Sequence, residues 1–98
     1  MKSFYEMNES EEPLFVDFFA IWCGPCRVMS PVVDRLERKY GEKMNFLKID
    51  VDKNEELSFK YNVHTVPTLM IFKKGEPVWR VVGIQSQSML EEIIKSFV

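Results

Sequence analysis

The sequence predicts one α/β domain, a mixed sheet flanked by helices in the order β-α-β-α-β-β-α after a short N-terminal helix. Three observations predict it. Strand-sized apolar runs alternate with stretches whose apolar residues step by three and four. A glycine-containing turn, Lys73-Lys74-Gly75-Glu76, separates the last two strand-like runs, as in a hairpin. The chain's 98 residues are 46% hydrophobic and 13% aromatic, enough for one core and too few residues for a second domain, so the domain spans 1–98.

Each element has its own signal. Ser3 to Asn8 suit a short helix, and Glu9-Ser10-Glu11-Glu12-Pro13 a solvated turn whose proline opens a strand. Leu14 to Ala20 is apolar on both alternating faces, as in a strand covered by helices on both sides. From Cys23 to Tyr40, the residues Cys26, Met29, Val33, Leu36 and Tyr40 fall at helical spacing; Pro31 should kink this helix and Gly41 stop it. Phe46 to Val51 forms the second strand, and Asn54 to Tyr61 a short helix with Asn at its start. Thr68 to Phe72 and Pro77 to Val82 form the hairpin, with crossovers joining the parallel strands before it. Ser88-Met89-Leu90-Glu91 fits a capping box for a closing helix whose apolar face is Met89, Leu90, Ile93, Ile94 and Phe97.

Composition excludes several functions. A net charge of −2 offers no electrostatic attraction for nucleic acid or an anionic membrane surface. No apolar run is long enough to span a bilayer, and the N-terminal residues lack a signal-peptide core, so a reducing cytoplasm is the expected compartment. There, two cysteines are catalytic or metal-binding rather than a structural staple.

Those cysteines, the only two, stand in Trp22-Cys23-Gly24-Pro25-Cys26, between the first strand and the long helix. A Cys-x-x-Cys in that position suits thiol–disulfide exchange. The thiolate is the attacking species, and the unpaired N–H groups and positive dipole end of a helix start favour the anion of Cys23. Cys26 lies one turn later, facing the core, less accessible and less acidic. Cys23 is therefore expected to attack a substrate disulfide, and Cys26 to resolve the mixed disulfide. Pro25 is tolerated in the first turn and stiffens it, while Gly24 leaves room for a partner's backbone. The competing reading is half of a zinc site, but about four ligands are needed and His64 is the sole histidine, so no metal is expected.

Asp17 is the one charged residue in its apolar run. Buried, its pKa should rise, making it a proton acceptor for Cys26; at a strand edge facing solvent, it would have no such role.

The chain resembles the thioredoxin family through Trp22-Cys23-Gly24-Pro25-Cys26, Val16-Asp17-Phe18, Val66-Pro67-Thr68 and Val82-Gly83, in the family's order, from about residue 14 onward. The resemblance implies a thioredoxin fold and a protein disulfide reductase, an electron carrier in cell redox homeostasis with no bound cofactor beyond a redox-active Cys23–Cys26 disulfide. It gives Asp17 the proton-acceptor role and places Lys48 where the family has a lysine paired with it; otherwise Lys48 simply snorkels. Judged locally, Val66–Pro67 would be trans, but the resemblance implies cis. That would present the backbone of Val66 to substrate, with Trp22, Val82 and Gly83 completing an apolar rim. Implied partners are disulfide-containing proteins and a thioredoxin reductase, NADPH- or ferredoxin-linked; a small domain with no leftover hydrophobic face is expected to be a monomer. Two departures stand out. Phe19 replaces a common tryptophan, and the N-terminal strand and helix are shortened, leaving four strands, or five if Met1 to Phe4 add a stub. The same motif would also serve a dedicated reductant or sensor for one enzyme, or the rim a non-catalytic docking module.

Overall fold

The computed structural model describes residues 3–98. The elements are α1 (Phe4–Asn8), β1 (Leu14–Phe19), α2 (Gly24–Tyr40), β2 (Asn45–Asp50), α3 (Glu55–Lys60), β3 (Thr68–Lys73), β4 (Glu76–Val82) and α4 (Gln87–Lys95). They build a four-stranded sheet in the order β2-β1-β3-β4. Only β1 and β2 are parallel; β3 runs antiparallel to β1, and β4 antiparallel to β3. The expected crossover between parallel strands thus occurs once, through α2. Of the proposed fifth-strand stub, Met1 and Lys2 lie outside the described residues, while Ser3 caps α1 and Phe4 is helical, so neither extends the sheet.

The two-residue period of β1 divides the core. Phe15 faces α2 and α4, packing with Met29, Val33, Leu36, Leu90 and Ile94. Leu14, Val16 and Phe18 face the other way, against Phe4, Ile49, Leu57 and Phe72. Each such side chain, taken from water, contributes about 1.5–3 kcal/mol, so a central strand apolar on both faces is where the sheet is most strongly held. Asp17 shares the face of Phe15, which aims it toward α2.

The punctuation of the chain follows local chemistry, with three revisions. The β3–β4 turn places Lys74 and Gly75 at φ 51° and 85°, the positive pair that a two-residue hairpin requires. Helix α2 continues through Pro31. It stops at Gly41 as expected, but at φ −63°, so no left-handed conformation is involved. A Cβ at Gly41 would instead stand 2.5 Å from the carbonyl oxygen of Glu37. Asn54 precedes α3 without capping it; its amide donates back to the carbonyl of Asp50. The capping box expected at Ser88–Glu91 is not formed. Ser86 is the cap of α4, accepting from the N–H of Met89, and Glu91 reaches Lys39 and Tyr40 on α2. The box that does form is Ser3–Glu6 on α1. Two serines two residues apart compete for one role, and the side chain of extended backbone conformation wins, because only there can its oxygen reach the free N–H groups. Ser86→Ala should accordingly lower stability by about 1 kcal/mol, with Ser88→Ala near neutral, as read from chemical denaturation midpoints.

Candidate functional site

The redox pair sits at the tip of α2. Cys23 is the N-cap, at φ −94° and ψ 115°, and its Sγ accepts the backbone N–H of Cys26 at 3.2 Å. A sulfur in this position meets the positive end of a 17-residue helix as well as a directed donor. The two cysteines are joined as a disulfide, with Cα atoms 5.3 Å apart. Gly24 and Pro25 fill the first turn, both exposed, and a Cβ at Gly24 would meet nothing within 4 Å. The expected contrast in accessibility is not present in this oxidised form, since Cys23 is 5% exposed and Cys26 4%. Both sulfurs tuck against Ala20, with Phe19 and Val66 packed beside them. What distinguishes Cys23 is the helix tip, not surface area.

A second loop closes over the pair. The Val66–Pro67 peptide is cis, and the Val66 carbonyl oxygen lies 3.5 Å from Sγ of Cys23. Gly83, at φ 91°, donates its N–H to the carbonyl of Pro67 at 2.9 Å, tying the end of β4 to this loop. That conformation strains any residue with a Cβ, which is why glycine stands there. Ile21 and Trp22, just before Cys23 in the chain, and Val82 and Ile84, on either side of Gly83, are exposed apolar residues. Trp22 is held in place, its Nε1 donating to Asp52 at 2.8 Å, while the N–H of Asp52 donates to the Asp50 carboxylate at 2.9 Å. Asp52 was not legible as a site residue, because its partner lies thirty positions earlier. Asp52→Ala should free the indole, altering tryptophan emission between the oxidised and reduced forms and raising the KM for a protein disulfide several-fold with kcat little changed. His64, in the loop before Pro67, is exposed.

Behind the disulfide lies a pocket of about 290 Å³ lined by Asp17, Ala20, Cys26, Arg27, Ser30 and Lys48. Asp17 is 1% exposed, and its Oδ1 has no hydrogen-bond partner among the described residues. Burial pushes its pKa from 3.8 up to about 6, against the pull of the Lys48 ammonium and with a smaller push from Asp34. The strand-edge alternative for Asp17 is thereby removed, since β1 is central. The expected Asp17–Lys48 pair is corrected in part. The two are register neighbours on β1 and β2, but Nζ of Lys48 donates to Asp34 at 2.6 Å and to Ser30 at 2.7 Å. Among the described residues, no ion pair joins it to Asp17. Cys26, Ser30 and Asp34 are spaced by four along α2, so a helical stripe that the sequence did display carries the two groups sequence reasoning missed. No group of three or more His, Cys, Asp or Glu among the described residues is placed to hold a metal ion. No helix there is long and apolar enough to cross a membrane.

The chain is similar to known proteins over most of its length. The family model described as Thioredoxin matches residues 2–96. A thioredoxin of Staphylococcus saprophyticus is 49% identical over 80 residues, which is 82% of this chain and 77% of that one. A thioredoxin of Bacillus subtilis is 40% identical over 90 residues, 92% of this chain and 86% of that one. The solved structure of a mutant thioredoxin from Halobacterium salinarum superposes with a TM-score of 0.88 at 37% identity, covering 99% of this chain and 87% of the other.

Proposed function

This chain belongs to the thioredoxin family and is a thiol–disulfide oxidoreductase, and from that premise we propose that Cys23 is its attacking thiolate, Cys26 its resolving thiol and Asp17 the base that serves Cys26. The observation that carries this reading is the N-cap position of Cys23, with the Cys26 N–H directed at its sulfur.

In the reduced protein, the Cys23 thiolate attacks one sulfur of a substrate disulfide. A Cys23–substrate bond forms, the substrate S–S bond breaks, and the first substrate thiolate leaves and takes up a proton from solvent, where the Cys23 proton was released. Asp17 then accepts the proton of Cys26, whose thiolate attacks Sγ of Cys23. The Cys23–Cys26 bond forms, the mixed disulfide breaks, and the second substrate thiolate leaves, its proton returned from Asp17. Two electrons and two protons pass to the substrate, and the cysteines are the electron source. Proteins of this family need no cofactor for this exchange.

Trp22, Val66 and Gly83 are assigned to the substrate rim. The Val66 carbonyl beside Cys23 supports main-chain pairing with an extended segment, which tolerates many side-chain sequences. Lys48 is assigned an electrostatic role, since its ammonium lowers the pKa of Asp17 without touching it. Family membership implies disulfide-containing substrates and a thioredoxin reductase as partners. Beyond that, we read the chain as one domain acting as a monomer in a reducing cytoplasm, with either an NADPH- or a ferredoxin-linked donor. Insulin disulfide reduction, driven in parallel by each type of reductase, tests activity and donor together. A chain that neither reductase recharges, and that reduces no protein disulfide from its dithiol form, would overturn the reading.

A further inference from the structure

We propose that Asp34 and Ser30 are positioning residues for the redox reaction: they hold the Lys48 ammonium on the α2 side and so withhold it from the Asp17 carboxyl. The proposal rests on Asp17 serving Cys26.

The geometry offers Lys48 two carboxylates. Asp17 is its neighbour in the β1–β2 register, and Asp34 faces it from α2. A four-carbon stem lets one ammonium reach across a range of positions, so the choice is energetic. Asp34 has a side chain 48% exposed, which keeps it hydrated as an anion, whereas pairing with Asp17 would draw the ammonium toward a carboxyl that is 1% exposed. The desolvation of such a buried pair offsets its attraction. Ser30 adds a third fixed point at 2.7 Å. The one other cation lining the pocket, Arg27, is engaged elsewhere, its Nη2 donating to the Ile21 carbonyl at 3.0 Å. On the opposite side, β3 places Leu69 against Asp17 in register, which offers no charge. Asp17 is therefore faced by Cys26, Arg27 and Asp34 from α2 and by Lys48 from β2, and of the two cations Lys48 is the one that the sheet register places beside it.

The consequence is a carboxyl able to hold a proton. Were the ammonium to close on Asp17, the anion would be favoured, and the group would be a weaker acceptor for Cys26. Asp34, half in solvent, thus acts on the buried base through the lysine between them.

The test is the carboxyl titration of Asp17 followed by carbon-13 NMR in the oxidised protein, where neither cysteine titrates. In Asp34→Asn the Asp17 titration should move down by about 1 pH unit, and in Ser30→Ala by less, in the same direction. Because loss of the Asp34 charge would itself lower the titration, the decisive measurement is Asp34→Asn in a Lys48→Met background, where more than half the shift should vanish. A titration unmoved by Asp34→Asn, or moved equally with and without Lys48, would overturn the proposal. The low-pH inflection of insulin reduction should follow the titration. If the titration moves while that inflection stays, the clamp stands and the base role of Asp17 is what fails.

Discussion

Replacing Cys26 with serine will leave Cys23 covalently joined to its substrate. Steady-state disulfide reduction should fall to the uncatalysed level, and the protein should accumulate as an adduct that migrates as one species without reductant and separates with dithiothreitol. Cys23→Ser should lose turnover equally but form no comparable adduct. The asymmetry is expected because the two sulfurs occupy different electrostatic positions while sharing the same burial. Cys23 caps α2 and accepts the Cys26 N–H at 3.2 Å, whereas Cys26 lies inside the first turn and faces the pocket that holds Asp17. Helix-terminal stabilisation of an anion is worth about 0.3–2 kcal/mol before the directed hydrogen bond is added, enough to decide which of two otherwise equal thiols attacks. Mass spectrometry of the trapped complex reads the outcome directly. An adduct carried by Cys26 in the Cys23→Ser protein, and absent from Cys26→Ser, would reverse the assignment. Retention of function in the doubly substituted protein would instead favour docking over exchange.

Asp17→Asn should produce opposite effects on activity and stability. Removal of a general base costs about 10²-fold in the step it serves, so resolution of the mixed disulfide should slow by that order, and the inflection of the pH–rate profile near the Asp17 pKa of about 6 should disappear. Stability should rise. In the folded protein Asp17 keeps its proton until about pH 6, whereas in the unfolded chain it releases it near the ordinary 3.8. Between those values the folded state binds more protons than the unfolded one, so the wild type loses stability as pH rises through the window. Above pH 6 the full cost of the buried charge is present, up to about 3 kcal/mol. The asparagine protein should therefore gain most at pH 7–8, by up to about 3 kcal/mol, and nothing near pH 3. Urea denaturation at pH 4 and pH 8 checks this. An equal gain at both would mean that burial of the carboxylate is not its source.

Much of this architecture was legible because it rests on short-range physics. The apolar run from Leu14 to Phe19 alternates across both faces of a central strand, and period two is enough to put Asp17 on one face with Phe15. Cys23 was readable as an N-cap because Gly24 and Pro25 open a helical pattern directly after it. The Lys74-Gly75 turn was readable because its positive φ values suit a glycine. Misreadings arose where a helix start left more than one local hydrogen-bonding arrangement open. Ser86 took the cap offered to Ser88, and Asn54 bonded backward to Asp50 instead of forward into α3.

The sequence by itself determined the chemistry: a cysteine at a helix's electropositive end, its partner one turn behind, and a carboxylate in an apolar strand, all fixed by spacings of a few residues. Only the tertiary structure decided the partners. It brought the Val66 carbonyl to Cys23, Asp52 to Trp22, and Asp34 and Ser30 to Lys48, across separations of 43, 30, 14 and 18 residues. Local periodicity fixes which way a side chain points. Which of several suitable groups it meets depends on how whole elements pack, and on where water still reaches a charge once they have done so.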